Sequence, residues 1–197
     1  MDFASSDRVT AKVSQNGVIT PRKGIVIVGS DYRKKNLSSL DQRVIMATRN
    51  LSHIRYAISY VKDAAEMENY RSLLSHSSFL IAKLERQSAI NDAVNIACYA
   101  NELWLCRGDL GAELGMNAFA RQVYLFGNNI PTLTTPVLMA GQILEHMTEH
   151  ATPTRSEICY LYDTLSRGYK GVVLSDETAI GHYPVESCQT AAIFIES

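Results

Sequence analysis

Lys83 and Glu85 stand two residues apart at the end of the apolar run Phe79–Leu84 (FLIAKL). If that run is a β-strand, both side chains project from the same side of the sheet, so an ammonium meets a carboxylate at the strand's carboxyl end. A second carboxylate, Asp109, follows the next apolar run, Leu103–Cys106, within the stretch Arg107-Gly108-Asp109-Leu110-Gly111. On neighbouring strands, Glu85 and Asp109 would converge. Two carboxylates suit a hard divalent cation such as Mg2+ or Mn2+, which prefers oxygen ligands and keeps positions open for water or substrate. A nearby ammonium can then neutralise charge developing on a reacting oxygen while the cation polarises the carbonyl beside it. Gly108 lets the backbone approach a ligand closely, and a helix opening near Asp109 would aim N–H groups at an anion. The same residues also have plainer uses, as a surface salt bridge and a helix cap.

These groups need a scaffold that brings strand ends together. Short apolar runs at Ile58–Val61, Phe79–Leu84, Leu103–Cys106, Pro136–Ala140 and Gly171–Ser175 have strand length and little polar alternation, as strands buried on both faces should. Between them lie amphipathic stretches in which Met67, Tyr70 and Leu74 share one helix face, as do Ile90, Ala93, Val94 and Ala97, and Ile158, Leu161, Tyr162 and Leu165. Ser38 with Asp41 resembles a capping box before a helix over Leu40–Leu51, Asp63 can cap the next helix, and Gly168 stands where a helix would end. The segment Thr152–Glu157 reads as a loop entering a capped helix. This βα alternation predicts an α/β fold with a parallel sheet, in which function collects just after each strand. Gly141 and Ser175 also fall there, and Ser175 opens a polar cluster with Asp176, Glu177 and Thr178.

Composition narrows the choice of function. With 46% hydrophobic and 20% charged residues, 197 residues should form one globular core. Nineteen basic against 20 acidic residues leave a formal charge of −1, so there is no surplus of cations to displace counterions from a phosphate backbone. Nucleic acid is not an expected partner. No apolar stretch approaches the ~20 residues that span a bilayer, and residues 1–16 lack the pattern of a secretory signal, so the expectation is a cytoplasmic protein without a membrane partner. Cys98, Cys106, Cys159 and Cys188 show no CxxC spacing and are read as buried, reduced thiols. The five histidines are read as offering no ligand spacing such as HxxxH and are counted as surface or structural groups.

The segments IAKLE, LCRGDLGAELG, PVLMAGQILEHM, TPTRSE and VVLSDETAIGHYPVES, in this order and spacing, resemble the catalytic barrel of the pyruvate kinase family. Ile58–Lys62 (ISYVK) is similar to the strand before the lysine strand, and Val13–Gly29 resembles, more weakly, the exit from that family's inserted lid. The resemblance implies a partial TIM (β/α)8-type barrel carrying its last five parallel strands. Residues 1–23 would be an arm or lid remnant, and residues 24–197 the half-barrel domain. It implies Lys83 as the lysine that stabilises the enolate oxygen and the transferring phosphoryl group. Glu85 and Asp109 would be the metal ligands, and Cys106, Arg107 and Gly108 the backbone stretch that holds the carboxylate of phosphoenolpyruvate or pyruvate. Gly141 and Ser175 join them as candidate substrate contacts. Arg155 and Glu157 match a segment at the family's subunit contact.

Departures from the family pattern shape the functional expectation. Ala140-Gly141-Gln142 stands where the family has Ala-Thr-Gln, so the hydroxyl associated with proton transfer at the enolate carbon is missing. Asp176 replaces a glycine and His182 an aspartate. The first three barrel strands, most of the lid and the C-terminal regulatory domain find no counterpart in these residues. The expectation is therefore binding of Mg2+ or Mn2+ and a small 2-oxo acid, with metal-assisted enolate chemistry of the decarboxylase or aldolase kind rather than phosphorylation of ADP. His182 and Glu177 are candidates for the unassigned acid or base. Two alternatives stand beside it: a non-catalytic degenerate barrel serving as a binding or assembly module, and half of a split pyruvate kinase completed by a partner chain. An open sheet exposes two edges, so a homo-oligomer or a covering partner is expected.

Overall fold

The computed structural model describes residues 37–194 continuously, together with residues 3–4, 8–14, 16–18 and 21. The apolar run Gly24–Gly29 and the expected domain boundary at residues 23–24 lie outside the described residues. A two-residue antiparallel pairing joins β1 (Phe3–Ala4) to β2 (Val9–Thr10). The other strands are β3 (Arg55–Ile58), β4 (Phe79–Leu84), β5 (Glu102–Cys106), β6 (Val137–Ala140) and β7 (Gly171–Val173). They form one parallel sheet in the order β3-β4-β5-β6-β7, so each strand lies beside its predecessor in sequence. The α/β architecture with five parallel strands agrees with the expectation.

Helices connect the strands. α1 (Ser39–Thr48) precedes β3, α2 (Ala64–Leu73) links β3 to β4, and α3 (Gln87–Asn91) with α4 (Ala93–Ala97) links β4 to β5. α5 (Arg107–Leu114) and α6 (Met116–Asn129) precede β6, α7 (Arg155–Ser166) precedes β7, and α8 (Asp176–Ala179) and α9 (Pro184–Ala191) close the chain. The caps sit where the sequence placed them. Ser38 Oγ accepts from the Asp41 N–H while Asp41 Oδ2 accepts from the Ser38 N–H, and Asp63 accepts from the Glu66 N–H. Thr154 and Glu157 form a second reciprocal box, and Gly168, at φ +101°, ends α7 in a conformation only glycine adopts freely.

The core follows from strand alternation. Leu80, Ala82, Leu84, Leu103, Leu105, Val137 and Met139 share one face of the sheet and are all no more than 1% exposed. Met67, Tyr70, Leu74, Ile96 and Leu161 pack against that face. Each fully buried leucine contributes roughly 1.5–3 kcal/mol. The opposite face carries Lys83, Trp104, Leu138 and Gly171 in one register row, all half-buried. Burial on both faces, expected from the apolar runs, is thus complete only on the helix-covered side. Among the described residues, β3 and β7 each have a single sheet neighbour.

Several local expectations are corrected. The first sheet strand covers Arg55–Ile58 rather than Ile58–Val61, because the backbone turns away at Ser59 and Tyr60 has φ +56°. The last ends at Val173, two residues early, and α1 stops at Thr48. The stretch Ile90–Ala97 is two short helices broken at Asp92, whose carboxylate accepts from Ala64 N–H and Asn95 Nδ2. Val94 and Tyr162 are solvent-facing, at 66% and 58% exposure, because each stands one position past the apolar stripe of its helix. Cys98, Cys159 and Cys188 are exposed and only Cys106 is buried. The first three lie on amphipathic helices or at their ends, where a small residue is tolerated on the wet side. No helix among the described residues is long and apolar enough to cross a membrane.

Candidate functional site

At the carboxyl end of β4, Lys83 Nζ lies 2.6 Å from Glu85 Oε1 and donates to Ser59 Oγ at 3.2 Å. The Glu85 side chain is 1% exposed and that of Lys83 25%. The other Glu85 oxygen, Oε2, accepts from the backbone N–H of Tyr60 at 2.5 Å. The Tyr60 hydroxyl in turn donates to Asp109 Oδ1 at 2.9 Å. One residue therefore touches both carboxylates, its backbone N–H meeting Glu85 and its phenol meeting Asp109.

Electrostatics agree with this geometry. Burial, the largest influence on Lys83, favours its neutral form, but the hydrogen bond and charge of Glu85, aided by Cys106 and Asp109, outweigh it and raise the ammonium's pKa. Burial pushes the Cys106 thiol up to about 12, and the neighbouring Glu85 charge adds to the effect. Cys106 is accordingly a neutral thiol, whose Sγ donates to the Trp104 carbonyl at 3.5 Å, and it has no nucleophilic role.

The scaffold explains why these groups meet. α5 begins at Arg107 immediately after β5 ends at Cys106, so Asp109 falls in its first turn, where the helix dipole favours a negative charge. Gly141 and Gln142 follow β6 with consecutive positive φ values of +84° and +55°. A Cβ at Gly141 would lie 3.7 Å from the Gly108 nitrogen, so the end of β6 rests against the start of α5. The Arg107 guanidinium clamps this turn: Nε donates to the Gly141 carbonyl at 2.9 Å, Nη2 donates to the Gly141 and Gln142 carbonyls, and the group stacks 4.8 Å from the Tyr160 ring centroid. Its side chain is thereby committed to holding this loop.

Not every candidate joins the cluster. The Ser175 N–H and hydroxyl both donate to Glu177 Oε2, at 2.9 and 3.2 Å. Glu177 is 0% exposed, and its Oε1 accepts from the Leu144 N–H, so it ties the segments after β6 and β7 together. It is an enclosed carboxylate engaged by three donors. His182 is largely exposed and lies 3.5 Å from Glu149. Glu157 serves the α7 cap and accepts from the His146 N–H at 2.8 Å.

The donor chemistry fits a hard divalent cation. Glu85 and Asp109 offer carboxylate oxygens from adjacent strand ends, and one or two carboxylates are what Mg2+ ordinarily takes from protein. Among the described residues no group of three or more His, Cys, Asp or Glu side chains is placed to hold a metal ion. A cation here would therefore complete its shell with substrate and water. A cavity of about 600 Å³ lies between α1 and β3, but Lys83, Glu85 and Asp109 do not line it. It is a gap left under α1, a helix that has no buried residue.

Two features escaped the sequence reading. The strand expected over Ile58–Val61 puts Tyr60 inside it, which hides both its left-handed backbone and its bond to a residue 49 positions away. His146 and His150, four residues apart, stack with ring centroids 3.8 Å from each other. Their spacing was visible as HMTEH and makes them a packed surface pair.

A family model described as "Pyruvate kinase, barrel domain" matches residues 2–188. A pyruvate kinase of Agrobacterium vitis is 31% identical over 189 residues, covering 96% of this chain and 39% of that protein. One from Aeropyrum pernix is 30% identical over 191 residues, covering 94% of this chain and 41% of that protein. The chain thus spans about two fifths of the curated relatives' length. The crystal structure of a pyruvate kinase from Cryptosporidium parvum superposes with a TM-score of 0.75 over 84% of this chain and 36% of that one, at 22% identity, and this likeness speaks to the fold.

Proposed function

The chain belongs to the pyruvate kinase family through its barrel domain, and from that premise we propose that it binds Mg2+ or Mn2+ together with a small 2-oxo acid of the pyruvate, phosphoenolpyruvate or oxaloacetate type. The chemistry at this site is enolate formation and carbon–carbon bond cleavage, as in a decarboxylase or aldolase, in place of ADP phosphorylation. The observation that carries this reading is the gathering of Lys83, Glu85 and Asp109 at adjacent strand ends, joined through Tyr60. A bound cation supplies polarisation of the 2-oxo acid's carbonyl. Glu85 and Asp109 would hold it. The Lys83 ammonium, kept protonated beside Glu85, stabilises negative charge on the substrate oxygen. The backbone N–H groups at the start of α5 favour the substrate carboxylate. Gly141 brings no hydroxyl to this end of β6, which sets the reading apart from the family's threonine-based proton transfer.

A thermal-shift titration with oxalate, a planar mimic of the pyruvate enolate, tests the proposal. At about 100 Kd a ligand of the native state adds ~2.7 kcal/mol of stability. The expected stabilisation requires oxalate and Mg2+ or Mn2+ together and disappears in Glu85→Gln and Asp109→Asn. No shift under any combination would overturn it, and pyruvate kinase activity with ADP would replace it.

Assembly forms the second part of the proposal. Leu40, Val44 and Met46 on α1 are 49–71% exposed, and among the described residues Lys83, Trp104 and Leu138 on one face of the sheet are only half-buried. Exposed apolar surface of this kind favours a second copy or a partner chain as cover. Light scattering that shows a stable monomer would count against it.

A further inference from the structure

Tyr60 combines two unusual features. Its backbone has φ +56°, a left-handed conformation that a non-glycine residue rarely adopts and that persists only where its surroundings enforce it. In that conformation its N–H reaches Glu85 Oε2 and its hydroxyl reaches Asp109 Oδ1. An extended continuation of β3 would carry both groups past these partners. The Arg86 guanidinium lies 5.7 Å from the Tyr60 ring centroid, close enough to steady the ring.

We propose that Tyr60 is the positioning residue of the candidate cation site, its strained backbone and its phenol together fixing the mutual orientation of Glu85 and Asp109. The proposal rests on the reading of those two carboxylates as cation ligands and adds the group that aligns them. Lys83 already occupies Glu85 Oε1, and Tyr60 occupies Glu85 Oε2 and Asp109 Oδ1. Each of these oxygens keeps a second lone pair for a cation, and the phenol prevents the Asp109 carboxylate from rotating. Outer-shell partners of this kind typically account for about 10–100-fold in metal affinity.

The test is a Mn2+ titration of the full 197-residue chain, followed by loss of the free-ion electron paramagnetic resonance signal. Two variants are compared with the parent. Tyr60→Phe keeps the ring and removes the hydroxyl. Tyr60→Asn keeps a residue that tolerates positive φ, and with it the N–H to Glu85, so one variant remains informative if the other fails to fold. Each is expected to bind Mn2+ about 10–100-fold more weakly while its thermal transition stays cooperative. A merely structural role would move the transition and leave Mn2+ affinity alone, and unchanged or tighter binding in the folded variants would overturn the assignment. That outcome leaves Glu85 and Asp109 as ligands, whereas a parent chain that binds no Mn2+ overturns both readings.

Discussion

Lys83 and Glu85 meet at 2.6 Å with unequal burial, the carboxylate being enclosed and the ammonium reaching water with a quarter of its side chain. The pair is therefore asymmetric. Removing Lys83 would strand a buried charge, whereas removing Glu85 would release an ammonium that can hydrate.

Lys83→Met is expected to destabilise the chain by about 2–3 kcal/mol at neutral pH, below the full figure for a buried pair because Lys83 is partly solvated. In the parent chain the folded-state pKa of Lys83 lies above its unfolded value, so the pair's contribution is whole below about pH 10 and is lost as pH climbs through the raised value. Urea unfolding of both chains from about neutral pH up through this range checks the sign, and a deficit that grew as the pH rose would contradict it.

Gly141→Ala should cost about 1–2 kcal/mol from backbone conformation alone. Its φ is +84°, yet a Cβ would meet nothing closer than 3.7 Å, so crowding is not the cause. Gly141→Thr should cost more, because β-branching narrows the backbone further. Restoring a hydroxyl here therefore does not restore a placed one. Chemical denaturation of the two variants in parallel tests this, and a neutral Gly141→Ala would disprove the conformational argument.

A thiol reagent applied to the native chain near pH 8 should modify Cys98, Cys159 and Cys188 quickly and leave Cys106 untouched. Cys106 is buried and its thiol is raised to about 12, so it should react only on unfolding. Peptide mapping after a short pulse reads the pattern directly. Native labelling of Cys106 at the rate of the other three would contradict the geometry at the end of β5.

The sequence was most informative where burial alone sets the pattern. Phe79–Leu84 was read to the residue because a strand under a helical layer must be apolar along its length. The caps at Ser38 and Asp63 are equally legible, because they depend on side chains reaching residues three positions away, whereas in Thr152–Glu157 the pattern gives a capped helix without naming Thr154 as the cap. Lys83, Glu85 and Asp109 could be placed together because strand alternation and the strand-end rule both act over short distances. Tyr60 could not, because nothing local announces a left-handed tyrosine whose partners lie 25 and 49 residues downstream. The cysteines failed for a different reason: general burial tendencies of a residue type do not say which side of an amphipathic helix it occupies.

The sequential strand order carries a consequence for how the chain opens and closes. Because every strand pairs with the one before it in sequence, each added unit closes only a short loop, and no long-range crossing has to form first. Such a sheet can unravel one unit at a time from either end, with β5 and its neighbours the last to let go. Amide hydrogen exchange should accordingly fall in a gradient from β3 and β7 toward β5. Uniform protection across the five strands would instead mark a sheet that opens as a single body.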